Sequence, residues 1–479
     1  MQGGGDAIWG LRYRWQPTLR SSSGQVLLAT SQCGGSAGAR REQPPWEFRV
    51  GPGSVSTLAA RTPALDVNGD GYDDLLVPIP GNWERPGRAF VYLGGPRGPE
   101  PRSRVLIEAP RDDGRSFARS AAAVGDVNGD GFGDFVLGAP ESGGREPTCK
   151  DATDAAGRVF LYLGSASGAS AGPAMALSGK PGQRFGSWLA GGADLNGDGF
   201  ADLVIGASGG ASPSCKPTGG PLLGVEGGVF FHAGRPGGVG RDPMKALLLD
   251  KLDPLYASFR TGAVVGDVDG DGLGDVLLVA AWPSRTEELM IELRVYVGSA
   301  AAMVSPGPVL HSRGREAESA AILGADISGD GYDDVVLVDR AGNRIAVYPG
   351  GARGQSLEPV EIMAHSRAKI TDAAGAVADL NGDGYWDVIV GSPSQNKVYV
   401  FEGGTAGLKS VPAETLSEEG TLLFGKAIFS GDFNGDGYDD VVVAGKRADL
   451  EQISVYLGSA SGLAARPSLT LNLEARPPT

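Results

Sequence analysis

The sequence predicts an all-β fold, a seven-bladed β-propeller of four-stranded antiparallel blades. Two observations carry that expectation. An acidic, glycine-containing loop of nine residues occurs seven times, and each copy runs directly into a short apolar, largely β-branched segment. The loops start at Asp66, Asp126, Asp194, Asp267, Asp326, Asp379 and Asp432, so successive starts lie 60, 68, 73, 59, 53 and 53 residues apart. Such a period belongs to propeller blades and solenoid arrays rather than to separate domains.

The segments after the loops are Leu75 to Val77, Phe135 to Leu137, Leu203 to Ile205, Val276 to Val279, Val335 to Val338, Val388 to Val390 and Val441 to Val443. They are too short for buried helices and read as strands covered on both faces. An EF-hand loop would instead close with an acidic residue at position 12 and continue into a helix. Each repeat reads as four strands, in the second repeat Ser120 to Val124, Asp134 to Gly138, Arg158 to Leu163 and Ala174 to Leu177. The third strand recurs, usually ending in glycine as in Tyr92 to Gly94, Tyr162 to Gly164 and Tyr456 to Gly458. Small sheets repeated seven times bury their edges best when arranged radially.

Residues 55–479 are therefore assigned to the propeller and residues 1–54 to an N-terminal segment. That segment reads either as a linker plus a closing strand or as a degenerate eighth blade, with candidate strands at Leu11 to Trp15, Gln25 to Ala29 and Trp46 to Val50. Trp46 to Val50 and Ser468 to Leu473 compete for the strand that closes the ring.

All seven loops fit the pattern DxoxDGxxD, where "o" bears a side-chain oxygen. Positions 1, 3, 5 and 9 offer side-chain oxygens and position 7 offers its carbonyl. In chain order the candidate ligand sets are Asp66, Asn68, Asp70, Tyr72 and Asp74; Asp126, Asn128, Asp130, Phe132 and Asp134; Asp194, Asn196, Asp198, Phe200 and Asp202; and Asp267, Asp269, Asp271, Leu273 and Asp275. They continue as Asp326, Ser328, Asp330, Tyr332 and Asp334; Asp379, Asn381, Asp383, Tyr385 and Asp387; and Asp432, Asn434, Asp436, Tyr438 and Asp440. Hard oxygen donors at this density suit Ca2+, which takes ~6–8 oxygen ligands. Up to seven Ca2+ ions are expected, in a structural role. Loop five, with neutral Ser328, is expected to bind most weakly, and loop four, with the added charge of Asp269, more tightly.

The formal charge of −15 argues against nucleic acid as a partner. Much of that acidity is the ligand set itself, and crowded carboxylates repel one another without a cation. The 78 glycines and 32 prolines recur in register with the apolar runs, so they mark ordered turns. No apolar stretch reaches the ~18 residues a membrane-spanning helix needs. The opening MQGGGDAIWG has neither the basic start nor the apolar centre of a signal peptide. Weak oxygen-rich calcium sites fill at ~10⁻⁴–10⁻³ M, which points to an extracellular or cell-surface setting. Cys149 and Cys215 occupy similar places in neighbouring repeats and would pair in an oxidising compartment; otherwise they stay reduced, and Cys33 is left over.

Further motifs carry a resemblance. Phe185-Gly186 and Phe424-Gly425 open repeats three and seven, and Gly138-Ala139-Pro140 closes the second strand of repeat two. Elsewhere the motif drifts, to Phe117-Ala118, Phe259-Arg260, Gly206-Ala207-Ser208 and Gly391-Ser392-Pro393. Over roughly residues 55–475 the chain resembles the FG-GAP repeats of the integrin α-subunit head and of secreted bacterial FG-GAP proteins. The resemblance implies a seven-bladed propeller with calcium in its blade loops and a role in binding or adhesion. Integrin heads look as if they carry such loops in only some blades, whereas every repeat here has one.

The functional expectation is an extracellular binding or adhesion module that recognises a protein or glycan. Recognition is expected on the connections between second and third strands, opposite the calcium loops, because variable loops on a rigid scaffold carry function. Those connections are long in repeats two and three, Ala139 to Ala156 and Ala207 to Glu226, and blades one to four also offer Trp83 and Trp282; tolerated surface insertion is the competing reading. Catalysis finds little support. His232, His311 and His365 are isolated, and the GxSxG matches at Gly168 to Gly172 and Gly206 to Gly210 lack a following helix. The chain is thus expected not to be an enzyme. Two rivals stand beside this reading: a secreted hydrolase or lyase, or its non-catalytic part, and a structural spacer in a surface assembly.

Overall fold

The computed structural model describes strands at 12–14, 18–20, 26–28 and 47–49, and then residues 65–81, 85–110, 116–141, 155–209, 227–248, 258–283, 289–299, 305–312, 321–339, 344–352, 359–363, 374–447 and 450–473. The protein is all-β, a propeller of seven blades. Blade two is Ser120–Gly125, Asp134–Ala139, Arg158–Tyr162 and Met175–Ser178, each strand antiparallel to the next. Blades three to seven repeat that order, with first strands at Phe185–Gly191, Ser258–Gly266, Ala321–Ala325, Gly375–Ala378 and Leu422–Gly431. Blade one shows three strands, Leu75–Ile79, Arg88–Tyr92 and Arg104–Glu108, and the stretch just before its loop lies outside the described residues.

The apolar runs form second strands because each side of such a strand meets a different neighbour. Leu76 packs in the seam between blades one and two, while Leu75 and Val77 pack in the seam between blades one and seven. In blade two, Phe135 and Leu137 face blade one and Val136 faces blade three. There is accordingly one hydrophobic cluster per seam, seven in all among the described residues. Burial on both faces is what made these strands read as continuous hydrophobic runs.

The seventh cluster joins Leu75, Val77, Phe90 and Tyr92 to Val442, Ile453 and Val455, and so closes the ring. Leu469–Leu473 supplies the fourth strand of blade seven, the place expected for Ser468 to Leu473. In the N-terminal segment Arg12–Arg14 pairs with Glu47–Arg49 and Thr18–Arg20 with Val26–Leu28, giving two two-stranded sheets. Thr18–Arg20 has no counterpart in the sequence expectation.

With consecutive strands antiparallel, the acidic loops and the third-to-fourth turns emerge on one face of the ring. The second-to-third connections emerge on the other. They range from the tight hairpin of Arg447 and Leu450 in blade seven, through a short 3-10 turn at Pro393–Gln395 in blade six, to the spans that separate Ala139 from Arg158 and Ala207 from Gly228. Cys33, Cys149, Cys215, Trp83 and His365 lie outside the described residues.

Candidate metal centres

In blades two to seven the acidic loop sits between the first and second strands, in blade one it leads into Leu75–Ile79, and every loop folds on its own carboxylates. In loop two, Asp126 Oδ1 accepts from the Gly129 and Asp130 amides at 2.6 and 3.1 Å, and Oδ2 accepts from the Gly131 amide at 2.7 Å. Asp130 Oδ1 then accepts from the Phe132 amide at 3.1 Å. The same bonds recur in every loop: the amides of positions 5 and 6 donate to the carboxylate of position 1, and that of position 7 to position 5. Gly129 and Gly131 make the turn possible at φ +74° and +88°, where side chains with Cβ are strained.

Position 9 behaves differently, because it opens the buried second strand. Asp74, Asp134, Asp202, Asp275, Asp334, Asp387 and Asp440 are all at most 3 % exposed, whereas Asp70 and Asp130 at position 5 face solvent. Asp134 Oδ2 accepts from the Val127 amide at 3.0 Å and Oδ1 from the Gly164 amide at 2.9 Å. Gly164 is the glycine that ends the third strand. Its counterparts Gly94, Gly234, Gly298, Gly350, Gly403 and Gly458 bond the position-9 aspartates of their own blades in the same way. The recurrent terminal glycine of the sequence is thus a donor that ties loop to sheet, a role its spacing alone did not reveal.

Burial pushes these seven carboxyls up, to about 7 for Asp74, Asp134, Asp202, Asp275 and Asp334 and to about 8 for Asp387 and Asp440. For Asp134 the two amide bonds pull the other way, and the carboxylates of Asp130 and Asp126 add repulsion. A desolvated carboxylate beside two others is in its most favourable charge state only with a cation between them.

Several features fit such a cation. In loop four, oxygens of Asp267, Asp269 and Asp275 lie within 4.8 Å of one another. In loop seven, buried Asp440 Oδ2 has no hydrogen-bond partner among the described residues, and the Phe433 amide bonds the Gly431 carbonyl. Ser328 Oγ of loop five is likewise buried and unpartnered. Loop three departs from the others: Asn196 turns inward, its amide nitrogen 3.2 Å from Asp202 Oδ2, where Asn68, Asn128, Asn381 and Asn434 reach the position-5 aspartate.

The side chains at position 7, which the sequence offered only as carbonyl ligands, have a second use. A Cβ built on Gly129 would lie 2.6 Å from the Phe200 ring of the next blade, and Gly69, Gly270, Gly329 and Gly435 face Phe132, Tyr332, Tyr385 and Tyr72 in the same way. Each ring therefore lies on the preceding loop. Gly129→Ala is expected to cost about 2–4 kcal/mol, from left-handed backbone and overpacking together. Gly131→Ala, with nothing within 4 Å of its Cβ, should cost only the ~1–2 kcal/mol of backbone strain. Urea unfolding in calcium compares the two; equal losses would remove the steric argument.

Position 8 also reaches across seams. Asp73, Asp333 and Asp439 accept, through Oδ2, the amides of Asp432, Asp267 and Asp379 at 2.8, 2.7 and 2.9 Å. Asp73 thus serves the neighbouring blade as well as its own acidic loop. His232 is buried with Nδ1 2.8 Å from the Gly240 carbonyl, and burial lowers its pKa. Neither GxSxG match stands between a strand and a helix within the described residues.

Comparison with known proteins bears on this architecture. The profile of the FG-GAP repeat matches residues 118–162 and 185–220, and that of the FG-GAP-like repeat matches 326–390 and 379–443. The chain carries FG-GAP repeats. The matched FG-GAP segments take in the acidic loops of blades two, three, five, six and seven. Integrin alpha-5 of Xenopus laevis is 35% identical over 159 residues, 30% of this chain and 14% of the integrin. Integrin alpha-PS2 of Drosophila melanogaster is 36% identical over 161 residues, 30% of this chain and 11% of the integrin. The chain thus spans about a seventh of the length of these relatives or less. A lectin of Agrocybe aegerita that recognises non-reducing terminal N-acetylglucosamine overlaps at a TM-score of 0.45 with 14% identity, over 85% of this chain and 95% of the lectin; no ligand follows from that.

Proposed function

We propose that the chain is a calcium-stabilised extracellular or cell-surface module that binds a protein or glycan through its second-to-third strand connections. The observation that carries this reading is the unequal use of the two faces. On one, all seven loops spend their carboxylates on backbone amides of their own blade, and three position-8 aspartates hold the preceding blade. Those loops are scaffold, completed by up to seven Ca2+ held by the oxygens of positions 1, 3, 5 and 9 and the position-7 carbonyl. The opposite face carries connections of very different length on the same repeated sheet, the arrangement in which recognition loops evolve without disturbing a core. The partial match to integrin alpha chains supports a part in adhesion. Among the described residues no helix is long and apolar enough to cross a membrane.

The test is a pull-down on the immobilised full chain from native cell-surface material, in millimolar calcium and again in chelator. A partner retained in calcium and released by chelation is the expected result. Retention of nothing in calcium would refute the binding role, and equal retention in both would separate recognition from the metal.

A further inference from the structure

The seven loops are bonded to one another as well as to their own blades. The amide of position 8 donates to the position-1 carbonyl of the preceding loop: Gly133 to Asp66, Ala201 to Asp126, Gly274 to Asp194, Asp333 to Asp267, Trp386 to Asp326, Asp439 to Asp379 and Asp73 to Asp432, at 2.7–3.5 Å. The residue after each third-strand glycine donates to the position-2 carbonyl of that same preceding loop: Ser165 to Val67, Arg235 to Val127, Ser299 to Leu195, Gly351 to Val268, Gly404 to Ile327, Ser459 to Leu380 and Gly95 to Phe433. Both series run in one direction and both close on themselves through blades one and seven.

We infer that the seven loops form one coupled metal-binding ring, in which filling one loop raises the affinity of the loop before it. This rests on the calcium reading above. The route is short. In loop six the Asp383 carboxylate, a ligand, holds the Tyr385 amide at 3.0 Å, and the next amide, that of Trp386, bonds the Asp326 carbonyl of loop five. The Tyr385 ring lies on Gly329 of loop five. An ion that fixes positions 5 to 8 of loop six therefore fixes two sides of loop five. A loop already ordered has less conformational freedom left to lose when its own ion arrives, which is positive coupling without any change of fold.

The ring has a natural weak link. Position 7 of blade four is Leu273, so loop three lacks an aromatic from its successor at that position and is tied to it by the backbone bonds Gly274 to Asp194 and Ser299 to Leu195.

Native mass spectrometry of the full chain in buffers of stepped free calcium tests the coupling. For the wild type, species with few ions and with seven are expected to dominate over intermediate ones, against the binomial spread of independent sites. Asp383→Ala should lose more than one ion at the calcium level that half-fills the wild type. Tyr385→Leu keeps every ligand, including the position-7 carbonyl, and copies the arrangement of blade four. It should need about fivefold more calcium or greater to fill its last site, the lower end of usual coupling free energies. A binomial wild type, or a Tyr385→Leu curve superimposed on the wild type, overturns the coupling while leaving calcium binding intact. A wild type that takes up no ion at any level overturns both.

Discussion

Asp134→Ala is expected to destabilise the protein by about 3–5 kcal/mol in calcium and to remove one bound ion. The carboxylate is fully buried and is the acceptor for two buried amides, of Val127 and Gly164. Leaving a buried donor without an acceptor costs ~1–3 kcal/mol each, before any loss of metal. Asp134→Asn keeps one acceptor oxygen and should lie between wild type and alanine. Asp130→Ala is the contrast: its side chain faces solvent, so it should lose the ion yet cost under about 1 kcal/mol in chelator. Denaturant unfolding with and without calcium, alongside metal analysis, separates the two roles. If Asp134→Ala were as mild as Asp130→Ala in chelator, the buried carboxylate would not be the tie between loop and sheet.

Removing calcium should lower the melting temperature and make it fall as pH rises. Sites of ~10⁻⁴–10⁻³ M affinity in millimolar calcium contribute about 0.4–1.4 kcal/mol each, so seven contribute on the order of 3–10 kcal/mol and a shift of roughly 3–10 °C. The pH argument follows from the buried position-9 carboxyls, whose pKa rises from the ordinary 3.8 to about 7 or 8 in the folded, metal-free chain. Between those values the folded state holds more protons than the unfolded one, so metal-free stability falls as pH rises from about 4 to about 8. Calcium replaces the protons, and its affinity grows as they leave. Chelated protein should therefore melt higher at pH 6 than at pH 8, and calcium-loaded protein should gain its largest advantage at pH 8. A chelated sample whose melting temperature climbs over that range would contradict the burial argument.

The parts of the fold that were legible in the sequence are those set within one repeat. Second strands such as Phe135 to Leu137 were readable because both faces are buried and the run is uninterrupted, and third strands such as Arg158–Tyr162 fell within a residue of expectation. In blade four the run Val276 to Val279 understated a strand that extends to Pro283, because Ala280 to Pro283 continue through pairing with Leu289 to Glu292 and, for Ala280 and Ala281, with Phe259 and Ser258. The loops were visible as loops, but half of their wiring was not. Asp134 meets Gly164 thirty residues on, and Asp73 meets Asp432 from the far end of the ring. Sequence spacing carries no mark of such partners. The recurring glycine after the third strand and the recurring aromatic at position 7 were the available signals, and both answer to a neighbour rather than to their own turn.

The bond from Asp432 to Asp73 spans 359 residues. During synthesis each new blade can dock on its predecessor as it leaves the ribosome, but blade one keeps an apolar flank of Leu75, Val77, Phe90 and Tyr92 uncovered until Val442, Ile453 and Val455 have been made. Long-range pairing of this kind is slow and leaves surface open to misassociation. Blade one therefore awaits nearly the whole translation of its own chain, and in that interval its bare flank is the place where a holding chaperone, or the last blade of another nascent copy, would find a seat.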